Sequence, residues 1–191
     1  MVMKVFFVLL GTRATWWVKR QCSRSNSGLV RKAARLLWYS LQFCSGSSIS
    51  HEAHFASPPL LVHDHGIFVG GGAVIGRDCV IFPNVVIGSD LLADSSGFGV
   101  PRIGDNCYLG AGACIVGSVR IGDRCRVGAN STVWKDVPDD SVCVGNNRVI
   151  RKTHLDNRFY RRRRGWWEYY RGGRWIRTER SPMKPEKDHV L

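Results

Sequence analysis

Between residues 46 and 150 the chain places an apolar side chain at every sixth position. Ile103, Leu109, Ile115, Ile121, Val127 and Val133 form one run, Val69, Ile75, Ile81 and Ile87 a second, and Ile49, Phe55, Leu61 and Ile67 a third. The third run is out of step with the second by two residues, between Ile67 and Val69. Gly104, Gly110, Gly122 and Gly128 directly follow four of these positions. An α-helix needs apolar spacings of three and four and an ordinary strand needs two, so neither accounts for six. Short strands joined by tight turns do. Three such strands make one coil, and each coil returns the chain to the same edge about 4.8 Å further along. The repeated aliphatics then line the inside of a prism. Small residues four places on, Cys79, Cys107, Ala113, Cys125 and Ser131, fill the remaining interior. Cys107 and Cys125 are expected to stack there as inert packing thiols.

Ahead of the repeat the spacing changes to that of a helix. Ser27 is placed to cap a helix over residues 29–44, with Leu29, Ala33, Leu36, Leu37, Leu41 and Cys44 in one stripe and Arg31, Lys32 and Arg35 facing away. The stripe is expected to pack on its own domain; a trimer contact and a membrane surface are the other readings. Behind the repeat, Trp166, Trp167, Tyr169, Tyr170 and Trp175 are interleaved with Arg161 to Arg164, Arg171, Arg174 and Arg177. That mixture suits an anionic lipid interface or an acidic glycan, nucleic acid, or a solvated or trimer-packing tail. No nucleic-acid-binding motif accompanies it, and nucleic acid is not expected as a partner.

Charge sharpens this division into segments 1–45, 46–150 and 151–191. The 191 residues carry +13 in all, but the first segment holds eight Lys and Arg and no acid, the second holds seven against ten, and the third holds thirteen against five. A mildly acidic, Gly-rich body thus lies between two basic flanks, which are expected to govern any peripheral contact with an anionic membrane or glycan. Disorder along the whole chain and a collagen-like fibre are excluded by the apolar content and the absence of a three-residue glycine period. The apolar run at residues 5–10 is far shorter than the roughly 20 residues of a spanning helix and is followed by no clean cleavage site. Seven cysteines without a CxxC pair fit a reducing compartment, so a cytoplasmic location is expected.

Residues 103–150 read IGDNCYLGAGACIVGSVRIGDRCRVGANSTVWKDVPDDSVCVGNNRVI. This resembles the last coils of the hexapeptide-repeat acyltransferases, in particular the serine acetyltransferases and the capsular or colanic acid O-acetyltransferases. The resemblance implies an all-β fold, a left-handed parallel β-helix, with an N-terminal helical segment and a basic C-terminal tail. It also implies a homotrimer with sites between subunits and acetyl-CoA as acyl donor, with no metal.

Moving an acyl group from a thioester to a hydroxyl needs a base for the hydroxyl proton, and imidazole titrates in the right range. Four of the six histidines, His51, His54, His63 and His65, fall within fifteen residues. In the family the base begins a His-x-x-Gly-Ile-Val-like segment, which here is His63-Asp64-His65-Gly66-Ile67-Phe68-Val69 and points to His63. The resemblance carries Ala111 and Ala129 over as the coenzyme A edge, with Arg148 of Gly145-Asn146-Asn147-Arg148 as its basic residue. It makes the backbone of Gly88 and Ser89 the oxyanion donor, beside a loop at 88–102 that breaks the period. The Arg-His-Pro triplet of serine acetyltransferases is replaced by Gly99-Val100-Pro101, and two aspartates that hold the serine amino group fall on Ser48 and Val62. The acceptor is therefore expected to be a sugar or polysaccharide hydroxyl, with serine as the alternative. A metal-dependent or non-catalytic module is the third reading, and the separation of the histidines along one coil argues against their converging on zinc.

Overall fold

The computed structural model describes residues 13–43, 45–152, 155–163 and 165–179. Two helices, α1 (Arg13–Arg24) and α2 (Gly28–Phe43), precede a left-handed parallel β-helix. Its three faces are stacks of two- to four-residue strands. Face A holds β1 (Ser48–Ile49), β4 (Phe68–Val69), β7 (Val86–Gly88), β10 (Cys114–Val116) and β13 (Thr132–Val133). Face B holds β2 (His54–Phe55), β5 (Val74–Ile75), β8 (Arg102–Ile103) and β11 (Arg120–Ile121). Face C holds β3 (Leu60–Leu61), β6 (Val80–Ile81), β9 (Tyr108–Leu109), β12 (Arg126–Val127), β14 (Ser141–Val144) and β15 (Arg148–Arg151).

The register shows where the period of six holds and where it gives. Phe68 pairs with Val86 and Cys114 with Thr132, the regular step of eighteen. Val86 pairs with Cys114 across a step of twenty-eight, so the loop after Gly88 is a ten-residue insertion. Ser48 pairs with Phe68 and Ile49 with Val69, a step of twenty. The extra two residues lie in the turn ahead of Ile67, earlier than the repeat alone placed them. Val69 therefore takes the inward aliphatic position, and Ile67 fills the small-residue slot used by Val85, Ala113 and Ser131.

Ile49, Ile75, Ile81, Ile87, Leu109, Ile115, Val127 and Val133 are fully buried, each contributing about 1.5–3 kcal/mol of apolar burial. Cys79, Cys107 and Cys125 stack beside them, their thiols against the carbonyls of Gly104, Gly122 and Pro138 one coil on. Hydrogen bonding with Cys107 and burial hold the Cys125 thiol well above its ordinary pKa, which makes it a poor nucleophile. On the edge between faces B and C, an aspartate carboxylate of each turn accepts the backbone N–H of the turn below. Asp105 takes Arg77, Asp123 takes Asp105, and Asp139 takes Asp123. The recurring Gly-Asp pair is thus a turn device.

The helices close the first coil. Ser27 caps α2, its carbonyl accepting from Arg31 N–H. The face that α2 buries, however, is Ala34, Trp38 and Gln42. Trp38 donates its indole N–H to Ile49 O at 2.8 Å, and Gln42 bonds both the N–H and the carbonyl of Ile49. These side chains satisfy an open strand end that would otherwise be left unpaired. Leu29, Ala33, Leu36 and Leu37 of the expected core stripe point to solvent instead, and Cys44 lies outside the described residues. The run at residues 5–10 is outside them too.

The tail folds back on the body. After β15 turns antiparallel onto β14, β16 (Tyr160–Arg163), β17 (Trp166–Arg171) and β18 (Arg174–Thr178) form an antiparallel sheet. Gly172 and Gly173, both at positive φ, make the two-residue hairpin between β17 and β18. Asn157 donates to Asn106 O and Cys125 O and accepts from Arg126, while Tyr170 donates to Pro58 O. Pairing of these strands brings arginines of one onto aromatic rings of the next. Arg161 lies 3.8 Å from the Trp175 ring centre and 2.7 Å from Glu168, and Arg177 lies 4.4 Å from that of Trp166. Arg164 is outside the described residues. Among the described residues no helix is long and apolar enough to cross a membrane.

Candidate active site

The turns that lead from face C to face A share one edge of the prism, and most of the expected site residues lie in them. Their backbones are laddered from coil to coil. Gly66 N–H donates to Ser45 O, Asn84 N–H to His65 O, Gly112 N–H to Pro83 O and Asn130 N–H to Ala111 O. His63 is thereby two turns below Ala111, about 10 Å at one strand spacing per coil. Ala129 follows one coil above Ala111. Arg148, paired with Val144 at the start of β15, comes next along the same edge. His63 and Arg148 are exposed, Ala129 is exposed and Ala111 half-buried, which leaves a shallow strip with small side chains and a basic end.

The turn that carries His63 is tightly held. His63 has φ 52°, in the left-handed region that few non-glycine residues adopt. Ser47 donates its hydroxyl to Asp64 O and accepts Ile67 N–H, clamping the two ends of the turn. Gly66, at φ 65°, abuts the Asn84 side chain so closely that a Cβ would collide with it. Between two exposed imidazoles, Asp64 is buried, and its Oδ2 has no hydrogen-bond partner. Burial pushes its carboxyl up to about 6, against the opposing pull of His63 and His65. The sequence reading passed over Asp64; the only signal was its place between two histidines in a turn.

Gly88 and Ser89 are elsewhere. Gly88 ends β7 and Ser89 follows it, at the opposite side of face A, where the inserted loop leaves the prism towards face B, so one chain does not bring them to His63. The loop is closed by paired bonds between Asp90 and Gly99 and by a hydrogen bond between Ser95 and Asp90. Its Leu91, Leu92 and Phe98 are exposed. His51 sits apart as well, accepting or donating at 2.9 Å to the Tyr39 hydroxyl beneath α2, and its pKa is lowered by burial and then by Arg35. No group of three His, Cys, Asp or Glu suited to a metal ion occurs among the described residues.

Residues 101–133 match the bacterial transferase hexapeptide repeat, and residues 118–151 the hexapeptide repeat of succinyl-transferase. A serine acetyltransferase of Synechococcus elongatus is 33% identical over 146 residues, covering 76% of this chain and 56% of that protein. The structure of the Brucella abortus serine acetyltransferase in complex with coenzyme A superposes with a TM-score of 0.61 at 27% identity, over 78% of this chain and 59% of that one. The soybean serine acetyltransferase complexed with serine gives 0.59 at 33% identity, over 73% and 54%. The chain spans 56% of the length of the Synechococcus relative and only 22% of a mitochondrial one from Arabidopsis thaliana. These similarities overturn the expected sugar or polysaccharide acceptor and the pathway that went with it. That expectation leaned on four missing side chains, whereas the likeness covers about three quarters of the chain. The chain is a hexapeptide-repeat, left-handed β-helical protein similar to the serine acetyltransferases.

Proposed function

We propose that the protein is an acetyl-CoA-dependent O-acetyltransferase with serine as acceptor. The observation that carries this reading is the shared edge: His63, Ala111, Ala129 and Arg148 follow one another along it in a chain similar to serine acetyltransferases over about three quarters of its length. His63 would take the proton of the serine hydroxyl as its oxygen attacks the thioester carbonyl. The C–S bond then breaks, and the proton passes from the imidazolium to the departing thiolate, giving O-acetylserine and free coenzyme A. Asp64, ionised above about pH 6, would favour the imidazolium formed in that step. Ala111 and Ala129 leave room for the linear pantetheine arm, and Arg148 would pair with its phosphates.

Because Gly88 and Ser89 lie across face A from His63, an oxyanion donor from that loop has to come from a neighbouring chain, which favours a homotrimer with sites between subunits. The exposed Leu91, Leu92 and Phe98 suit that contact. Ser48 and Val62 bring no charge to the serine ammonium, so serine is expected to bind weakly before reaction, read as a high KM.

Serine with acetyl-CoA should release thiol well above the rate of thioester hydrolysis, and His63→Ala should lower that rate by about 10²–10⁴-fold with the fold intact. No serine-dependent release overturns the acceptor. Undiminished activity in His63→Ala overturns the base.

A further inference from the structure

We infer that the outer face of α2 is a membrane-binding surface that takes an anionic lipid bilayer. On this helix Leu29, Leu36 and Phe43 are seven residues apart and therefore on one side, and they are 79%, 73% and 87% exposed. Ala33 and Ser40 lie between them, and Val30 and Leu37 widen the strip, at 45% and 49% exposed. At about 100° per residue these side chains cover an arc of roughly 140°, directed away from Trp38 and Gln42, which hold the helix to the first coil. Lys32, exposed, borders the arc beside Phe43, and Arg35, also exposed, lies further round towards Gln42.

Charge decides between occupants. Residues 1–45 contain eight basic residues and no acidic one. A second copy of the helix laid against the first would bring Lys32 towards its own kind, in a segment with no carboxylate to offset it. An anionic bilayer complements both features at once, accepting leucine, valine and phenylalanine at the acyl boundary and the cations among its headgroups. Part of the tail's charge is already met within the tail, where Arg161 and Arg177 are engaged by Trp175, Glu168 and Trp166. The inference does not rest on the proposed reaction, because α2 contributes no residue to the edge that carries His63.

The test is co-sedimentation of the full chain with vesicles of phosphatidylcholine alone and of phosphatidylcholine with phosphatidylglycerol. The intact protein should pellet with the phosphatidylglycerol vesicles, less so as salt is raised. The pair Leu36→Glu with Phe43→Glu should weaken that binding about tenfold or more, and the pair Lys32→Gln with Arg35→Gln should weaken it and reduce its salt dependence. Each variant's mass by light scattering and its Tm are measured alongside. Equal binding to uncharged vesicles, unchanged binding of Leu36→Glu/Phe43→Glu, a drop in that variant's mass, which would make the occupant a second copy, or a fall in its Tm, which would make it the chain itself, would each overturn the inference.

Discussion

The β-helical body and helix α2 both carry regular apolar patterns, yet the pattern has different consequences in each. In the body every sixth aliphatic is buried, because a coil of three short strands has one inside and the repeat has no other face to offer. In α2 the pattern marks a stripe without saying what it meets. The helix is held to the body by Trp38 and Gln42, the second of them polar, through hydrogen bonds to Ile49, while the longer stripe of leucines stays outside. A closed repeat is read from its period. A single helix at a boundary is placed by the groups its neighbour leaves unsatisfied, here the exposed backbone of the first coil.

This contrast can be broken or sharpened by substitution. Trp38→Ala should cost about 3–5 kcal/mol in chemical unfolding, whereas Leu36→Ala, two residues earlier, should stay within about 0.5 kcal/mol. If Leu36→Ala proves the costlier, the outer face of α2 is buried in solution and the comparison fails. Within the body, Ile115→Ala is expected to lose about 2–5 kcal/mol, and a loss near zero would mean that the prism interior collapses around the gap. Asn157→Ala removes the bonds to Asn106, Cys125 and Arg126, for about 1–3 kcal/mol, and should make residues 155–179 the first cut in limited proteolysis. A smaller effect, and one of opposite sign, is expected from Asp64→Asn. A carboxyl raised to about 6 in the folded state favours folding most below its ordinary 3.8, and that contribution is lost as pH rises through 6. The asparagine variant should thus be more stable than the parent by about 1–2 kcal/mol above pH 6, with the gap closing towards pH 4; a gap independent of pH would show that Asp64 is not buried in solution.

How far the site was legible follows the same division. The period fixed which turns Ala111 and Ala129 occupy, and with them the edge. It could not show that Gly88 and Ser89 fall at the other end of face A, because a ten-residue insertion hides the coil step until strands are paired. Asp64 was invisible for a related reason, since burial of one turn residue depends on the turns stacked around it. Helix α1 escaped notice because its inward side holds a lysine and its outward side a tryptophan. Lys19, buried, donates to Ala53 O and is held down to about 8 by burial, while Trp17 is exposed.

By itself, then, the sequence determined the repeat, the inward residues, the cap at Ser27 and the segment that begins with His63, all of them consequences of spacing between neighbours in the chain. The tertiary structure decided which side of α2 is covered, how Arg161 and Arg177 of the basic tail come to lie on Trp175 and Trp166, and which candidate residues share an edge. Each of these depends on groups far apart in sequence, such as Tyr170 and Pro58 or Asn157 and Asn106, and a hydrogen bond across such distances has no signature in local periodicity.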